Sequence, residues 1–148
     1  MNSELFAKRM LELLPYFVRS VARHEHNDLT KGELSLPQFW AMDYLYRTGE
    51  DKMSNLAHYL NISPASTTGL IDRLIARKLV VRKNDAEDRR IVRIDLTPKG
   101  KSIICSIREQ KIRTLTKIFG RVSPGEREHF LNILAQAVKI TNSLPGGT

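Results

Sequence analysis

Residues 62–100 read ISPASTTGLIDRLIARKLVVRKNDAEDRRIVRIDLTPKG, and this stretch decides the fold. Ser63 followed by Pro64 predicts the start of a helix, because the hydroxyl can cap free N–H groups and proline lacks one. Helical spacing places one set of side chains toward a core, namely Thr67, Leu70, Ile71 and Leu74, with the stem of Lys78 at its edge. The other faces carry small and polar residues that are free to meet a ligand: Ala65, Ser66, Thr68, Gly69, Asp72 and Arg73.

A basic hairpin follows this helix. Val80–Lys83 and Ile91–Leu96 have the composition of strands, and Val92, Ile94 and Leu96 alternate with polar residues as in a half-buried strand. The link 84–90 is too long for a two-residue turn, so it should project as a wing with Arg89 and Arg90 at its tip.

The residues before position 62 complete a DNA-binding motif. Ser54 is a plausible N-cap for a short helix over 55–60, and Asn61-Ile62 forms a tight turn into the next helix. Two short helices joined by a tight turn make a helix-turn-helix, and the hairpin makes it winged. Such a unit is suited to reading the major groove of DNA and gripping the adjacent minor groove.

Longer apolar helices flank this unit. Residues 4–27 have helical spacing, with Pro15 expected to kink or restart the helix, and a further helix covers about 37–47. Thr97-Pro98 and Ser123-Pro124 open two more helices, and Pro145–Thr148 should be a frayed tail. We therefore predict a mainly α protein with a small β-hairpin wing. It forms a single domain (1–148), with a DNA-binding lobe at about 36–97 and dimerisation helices at about 4–30 and 98–143. The flanking helices are too long and too apolar for the lobe to cover, which predicts a homodimer.

Composition narrows the partner. The chain has 148 residues and a formal net charge of +8, so a polyanion is the natural partner, although a bland basic surface would give the same charge. No apolar run approaches the roughly 20 residues of a spanning helix, and the N-terminus lacks the features of a secretory signal. The single cysteine, Cys105, excludes an internal disulfide framework and fits a reducing cytoplasm. We expect a cytoplasmic protein that binds double-stranded DNA, not a membrane.

The central segment resembles the MarR family of bacterial transcriptional regulators. The resemblance covers about half the chain and rests on SNLA at 54–57, ISP at 62–64, TGLIDRL at 68–74, LVVR at 79–82, DRR at 88–90 and LTPKG at 96–100. Lys78 departs from the pattern, because the family often has a glycine there, where a positive φ is adopted without strain.

The resemblance implies that the helix from Pro64 enters the major groove and that the wing enters the flanking minor groove. It implies that Asp88 orients Arg90 into the minor groove and that Arg89 serves the DNA backbone; the alternative is an ordinary surface salt bridge. The expected DNA-binding residues are Ser63, Ala65, Ser66, Thr68, Gly69, Arg73, Asp88, Arg89 and Arg90.

The family also commonly senses small aromatic or phenolic compounds. By that resemblance the effector-binding residues would be Tyr16, Phe17, Phe39, Trp40 and Tyr44, with plain core packing as the alternative. Cys105 as a redox switch and His24-Glu25-His26 as a metal site are weaker alternatives, since the thiol lies among isoleucines and the two histidines cannot share a helix face.

The rival classes are an enzyme and a non-specific architectural DNA binder. No phosphate loop, nucleophile elbow, HExxH motif or paired carboxylates are visible, so we predict no catalytic residues, no metal site and no cofactor. An architectural protein would keep the basic charge but would discriminate poorly between DNA sequences.

Overall fold

The structure is a computed structural model, and it describes residues 1–145. Along this part of the chain the elements are α1 (Ser3–Ala22), α2 (Leu36–Thr48), β1 (Asp51–Lys52), α3 (Met53–Leu60), α4 (Pro64–Ala76), β2 (Val80–Asn84), β3 (Val92–Leu96), α5 (Pro98–Phe119) and α6 (Pro124–Ser143). The predicted mainly helical fold with a small β wing is confirmed. The predicted frayed tail includes residues 146–148, which lie outside the described residues.

The sheet has one strand more than the predicted hairpin. Its strands are antiparallel in the order β1-β3-β2, with Asp51 opposite Ile94 and Val80 opposite Leu96. Because β1 leads directly into α3, Lys52 is the N-cap residue and makes no side-chain capping bond. The prediction that Ser54 caps this helix is therefore wrong, since Ser54 already lies in its first turn.

One apolar core joins the winged helix-turn-helix to the first half of α5. The predicted inner face of α4 is confirmed, because Leu70, Ile71 and Leu74 are buried, and Thr67 beside them satisfies its hydroxyl by donating to the Ser63 carbonyl at 2.9 Å. Fully burying a side chain of this size stabilises the fold by about 1.5–3 kcal/mol. The buried cluster consists of Leu34, Ala41, Met42, Leu45, Leu56, Leu70, Ile71, Leu74, Leu79, Val80, Ile94, Leu96, Ile104 and Ile107.

The segment LTPKG at 96–100 is bonded to the chain just after α4, the helix expected to enter the major groove and called the recognition helix below. The Thr97 hydroxyl donates to the Lys78 carbonyl at 2.7 Å and accepts from the Gly100 N–H at 3.0 Å, so one side chain caps α5 and ties it to the α4–β2 corner. Lys78 itself adopts a left-handed conformation with φ 59°, the conformation that a glycine at this position would adopt without strain.

The N-terminal helix differs from its predicted extent. α1 continues through Pro15 as one helix, so a restart there is wrong, and it ends at Ala22, well before positions 27 and 30. Further along, Asn27 forms its own turn, its side-chain oxygen accepting from the N–H groups of Leu29 and Thr30 at 3.0 and 3.1 Å.

The chain divides into two compact units within α5. The first runs from Met1 to Lys111, and the second begins at Ile112. In the second unit the predicted Ser123-Pro124 start of α6 is confirmed by a capping box between Ser123 and Glu126, and the rings of Phe119 and Phe130 stack at 5.8 Å. None of the helices within residues 1–145 combines the length and hydropathy needed to cross a bilayer.

Candidate nucleic-acid interface

The N-terminal end of α4 presents small polar residues to solvent. Ser63 caps the helix as predicted, its Oγ accepting from the Ser66 N–H at 3.1 Å, and Pro64 occupies the first turn. The outward residues Ala65, Ser66 and Thr68 are exposed, and Gly69 is partly exposed. A Cβ added at Gly69 would meet nothing within 4 Å, so no contact inside the protein requires glycine at that position.

The hydroxyls of this face are already engaged within the helix. The Thr68 hydroxyl donates to the Pro64 carbonyl at 3.0 Å, and the Ser63 hydroxyl donates to Ser66 Oγ at 2.9 Å. Because a hydroxyl oxygen has two lone pairs, Ser66 and Thr68 can still accept hydrogen bonds from base edges that carry donors.

The charged side chains of α4 and of the hairpin fall into paired and unpaired groups. Asp72 accepts from Arg82 of β2 at 2.7 Å, which links the recognition helix to the hairpin. Within residues 1–145, no ion pair or side-chain hydrogen bond engages Arg73 or Arg89, and both are exposed. Sequence reasoning missed the Asp72–Arg82 pair, because nothing in the spacing of two residues ten positions apart indicates that they meet.

The tip of the wing contains the arginine–carboxylate pair that the resemblance implied. Arg90 Nε and an Nη atom donate to the two carboxylate oxygens of Asp88 at 3.1 and 3.0 Å, and the Arg90 N–H donates to the same carboxylate at 3.0 Å. These bonds lower the pKa of Asp88 and raise that of Arg90. The Arg90 side chain is 91% exposed, so the pair holds the guanidinium at the tip of the wing and leaves it open to solvent.

The base of the wing contains a second pair that the sequence did not reveal. Arg93 Nε donates to Asp85 at 2.6 Å, and this bond, together with those from the Glu87 and Asp88 N–H groups, lowers the pKa of Asp85 to about 2. On the neighbouring strand, Lys83 pairs with Glu50 at 3.4 Å and with Asp95 at 3.7 Å. Within the described residues of this site, Arg73 and Arg89 are therefore exposed cations without an ion pair. The cations paired with carboxylates are Arg82, Lys83, Arg90 and Arg93.

Comparison with known proteins decides the family. The family model that matches is described as the MarR family, and it covers residues 34–92, from just before α2 to the start of β3. The HTH-type transcriptional regulator YfiV of Bacillus subtilis is 33% identical over 112 residues, which span 74% of this chain and 70% of YfiV. The chain belongs to the MarR family.

Solved MarR-family structures show the same architecture. A MarR family protein from Bacillus stearothermophilus is 27% identical, with a TM-score of 0.73 and coverage of 97% of this chain and 99% of that one. BpsR of Bordetella bronchiseptica, whose DNA binding is regulated by 6-hydroxynicotinic acid, is 25% identical, with a TM-score of 0.65 and coverage of 88% and 98%. This protein is thus a DNA-binding transcriptional regulator. Its family is one of transcriptional regulators, not of enzymes.

The aromatic residues expected by resemblance to the MarR family lie in different environments. Tyr16 and Trp40 are 61% and 45% exposed, Phe17 is half-buried, and Phe39 and Tyr44 pack against the core. The Tyr44 hydroxyl donates to Asp51 at 2.5 Å, a bond that raises the pKa of Tyr44. Its ring also lies 4.5 Å from that of Tyr59, so Tyr44 has a structural role at the junction of α2, β1 and α3.

The residues considered for redox or metal sensing are Cys105 and His24-Glu25-His26. Cys105 is half-buried, which corrects the expectation of a thiol enclosed by isoleucines, and its thiol donates to Glu109 at 3.6 Å. Glu25 is buried and pairs with Lys111 at 3.0 Å, whereas His24 and His26 are exposed. Throughout the described chain, no group of three or more His, Cys, Asp or Glu side chains is placed to hold a metal ion.

Proposed function

We propose that this MarR-family protein is a homodimeric, sequence-specific repressor that acts in the cytoplasm, binds a pseudo-palindromic operator and is released by a small effector. The observation that carries the proposal is the arrangement of Arg90. Asp88 holds its guanidinium at the wing tip, and the side chain is 91% exposed. A minor groove narrowed by A·T-rich sequence concentrates negative potential and attracts such a group.

The recognition helix supplies the second half of the interface. We assign the major-groove contacts to the exposed end of α4, with short side chains that permit close approach and Arg73 able to reach a phosphate or a guanine. Arg89, which has no ion pair within the described residues, is assigned to the DNA backbone. The proposed DNA-binding set is Ser63, Ala65, Ser66, Thr68, Gly69, Arg73, Asp88, Arg89 and Arg90.

The homodimer is supported by apolar surface on the first and last helices. No residue of α1 or α6 is buried, and Leu11, Leu13, Leu131 and Ile140 are each about 59–77% exposed. Apolar surface on this scale marks an interaction site, and a second copy of the chain is the partner that a two-fold operator requires. We expect a dimer in sedimentation analysis, and we expect Leu131→Glu to give monomers; a wild-type monomer at micromolar concentration would contradict this assignment.

The effector is proposed from the regulation of BpsR by 6-hydroxynicotinic acid. We propose that a small aromatic or phenolic compound lowers the affinity of this protein for DNA, with Tyr16, Phe17, Phe39, Trp40 and Tyr44 as the residues to be examined. A ligand has this effect only if it binds the DNA-incompetent conformation more tightly. We expect at least one compound in a panel of hydroxylated aromatic acids to reduce DNA binding.

The experiment that tests the function is selection from a random duplex library. Purified protein should enrich one consensus with two inverted half-sites about one helical turn apart, and the complex should contain two chains per duplex. If the selected duplexes share no consensus sequence at any salt concentration, the protein would instead be a non-specific architectural DNA binder.

A further inference from the structure

The side chain of Asp85, the first residue of the wing loop, anchors that loop. Asp85 directly follows β2, and its Oδ1 accepts from the N–H groups of Glu87 and Asp88 at 2.9 and 3.2 Å. Its Oδ2 accepts from Arg93 Nε of β3 at 2.6 Å. The Asp85 side chain is only 13% exposed, although it belongs to a surface loop. One carboxylate thus fastens the turn of the wing to the sheet.

The position of Asp88 depends on this anchor. Asp88 contributes its N–H to the Asp85 carboxylate, and its carbonyl accepts from the Ile91 N–H at 3.0 Å. Its own carboxylate then holds Arg90 through three bonds. Because the Arg90 side chain is almost fully exposed, these bonds, rather than packing, set its direction.

Charge on the sheet explains why a carboxylate is suited to position 85. Arg93 lies directly across from Lys52 on β1 and from Lys83 on β2. Like charges opposite one another destabilise a pair of strands, and Asp85 supplies the negative charge that offsets Arg93. The bonds from Arg93 and from the two N–H groups also lower the pKa of Asp85 to about 2, so the carboxylate stays ionised at neutral pH.

We propose that Asp85 is a positioning residue for DNA recognition: it touches no DNA, but it fixes Asp88 and thereby sets the direction in which Arg90 leaves the wing. The proposal rests on the proposed function, in which Arg90 contacts the operator.

A double-mutant cycle tests this role. The probe is the duplex that wild-type protein selects from the random library. We expect Asp85→Ala to weaken binding about tenfold and Asp85→Asn, which keeps an oxygen for the two N–H groups, to weaken it only about twofold to threefold. In the Arg90→Ala background, Asp85→Ala should have no further effect, because the residue acts through Arg90.

Glu87→Ala is the matched control, because it removes the same charge from the same loop. It should leave affinity unchanged or slightly raised, since removing negative charge favours DNA binding. A second measurement without DNA is the order parameter of the Arg90 Nε–H bond by NMR relaxation. We expect this order parameter to fall below about 0.6 in Asp85→Ala, while the order parameters of the α4 amides stay at their wild-type values. If Asp85→Ala does not fold, Asp85→Asn replaces it in both measurements.

The possible failures are distinct. If Arg90→Ala binds the selected duplex as tightly as wild type, the proposed wing contact fails, and the positioning role fails with it. If Arg90→Ala is weak but Asp85→Ala binds normally, or weakens binding equally in both backgrounds, only the positioning role of Asp85 is overturned.

Discussion

The carbonyl of Leu79 lies directly against Gly100, at a distance that leaves no room for a Cβ on residue 100. An added Cβ would overlap the carbonyl oxygen and lie 3.0 Å from the carbonyl carbon. This contact brings the first turn of α5 onto the corner between α4 and β2, where Thr97 also accepts and donates hydrogen bonds. The glycine of the segment LTPKG is therefore required by packing.

Gly100→Ala is expected to destabilise the fold by about 1–3 kcal/mol, because backbone atoms cannot move aside as a flexible side chain can. Urea unfolding followed by circular dichroism measures the change. Gly125→Ala is the control, since an added Cβ there meets nothing within 4 Å. Equal stability of the Gly100 variant and the control would show that the corner can relax.

Gly69→Ala should separate stability from DNA binding. The position is helical and has space for a Cβ, so alanine should stabilise the protein by roughly 1 kcal/mol. Because we assign close approach of DNA to this face, affinity for the selected duplex should fall. A variant that is more stable and binds with wild-type affinity would remove Gly69 from the interface.

Lys78→Gly should raise stability by about 1 kcal/mol, because Lys78 holds a left-handed conformation that glycine adopts without a Cβ penalty. Lys78→Ala is the control. It removes the charge but keeps the strained conformation, so its midpoint in urea should stay near that of wild type. A gain in both variants would mean that charge, not backbone strain, limits stability at this corner.

Arg90→Ala should weaken binding to the selected duplex by about 1–3 kcal/mol, or roughly 10–100-fold, with the fold and dimer unchanged. Arg89→Ala should instead weaken binding to selected and scrambled duplexes alike and reduce the salt dependence by about one released ion. Titrations by fluorescence anisotropy over a range of salt concentrations distinguish the two. Equal behaviour of both variants on the two duplexes would mean that neither arginine discriminates sequence.

The stability of the protein at acidic pH should depend on the ionised carboxylate of Asp85, which anchors the wing. The pKa of Asp85 is lowered from 3.8 to about 2, so its ionised form stabilises the fold above about pH 4, and this contribution is lost as the pH falls through 2. The difference in melting temperature between wild type and Asp85→Asn should therefore shrink from pH 5 to pH 2. Glu87→Gln, which removes a carboxylate without an ion pair in the described residues, should follow the wild-type curve. A difference that stays constant with pH would contradict an ionised anchor.

Local signals predicted the starts of three helices. Ser63-Pro64, Thr97-Pro98 and Ser123-Pro124 each begin a helix at the predicted residue, because a cap needs only the side chain and the next few N–H groups. Alternation likewise located the second strand of the wing, and β-branched composition located the first. The prediction at Ser54 failed because the two-residue strand β1 exists only through its pairing with β3, more than 40 residues later in the chain.

The candidate interface was predicted only in part, because the local sequence indicates pairs of nearby residues but not pairs that join different elements. The Asp88–Arg90 pair spans two positions and was implied by a family resemblance. The Asp72–Arg82 and Asp85–Arg93 pairs join different elements, so they follow from how the helix and strands pack. Charge counting alone also overstates the unpaired positive surface, since Arg82, Lys83, Arg90 and Arg93 are each paired with a neighbouring carboxylate.

Recognition of DNA sequence by this MarR-family protein can be tested by a single ratio of affinities. The measurement compares the dissociation constants of wild-type protein for the selected duplex and for a scrambled duplex of the same composition, at physiological salt. We predict a ratio of at least about 10³, as for specific DNA-binding proteins. A ratio near one would contradict sequence-specific recognition and would leave only electrostatic, non-specific binding.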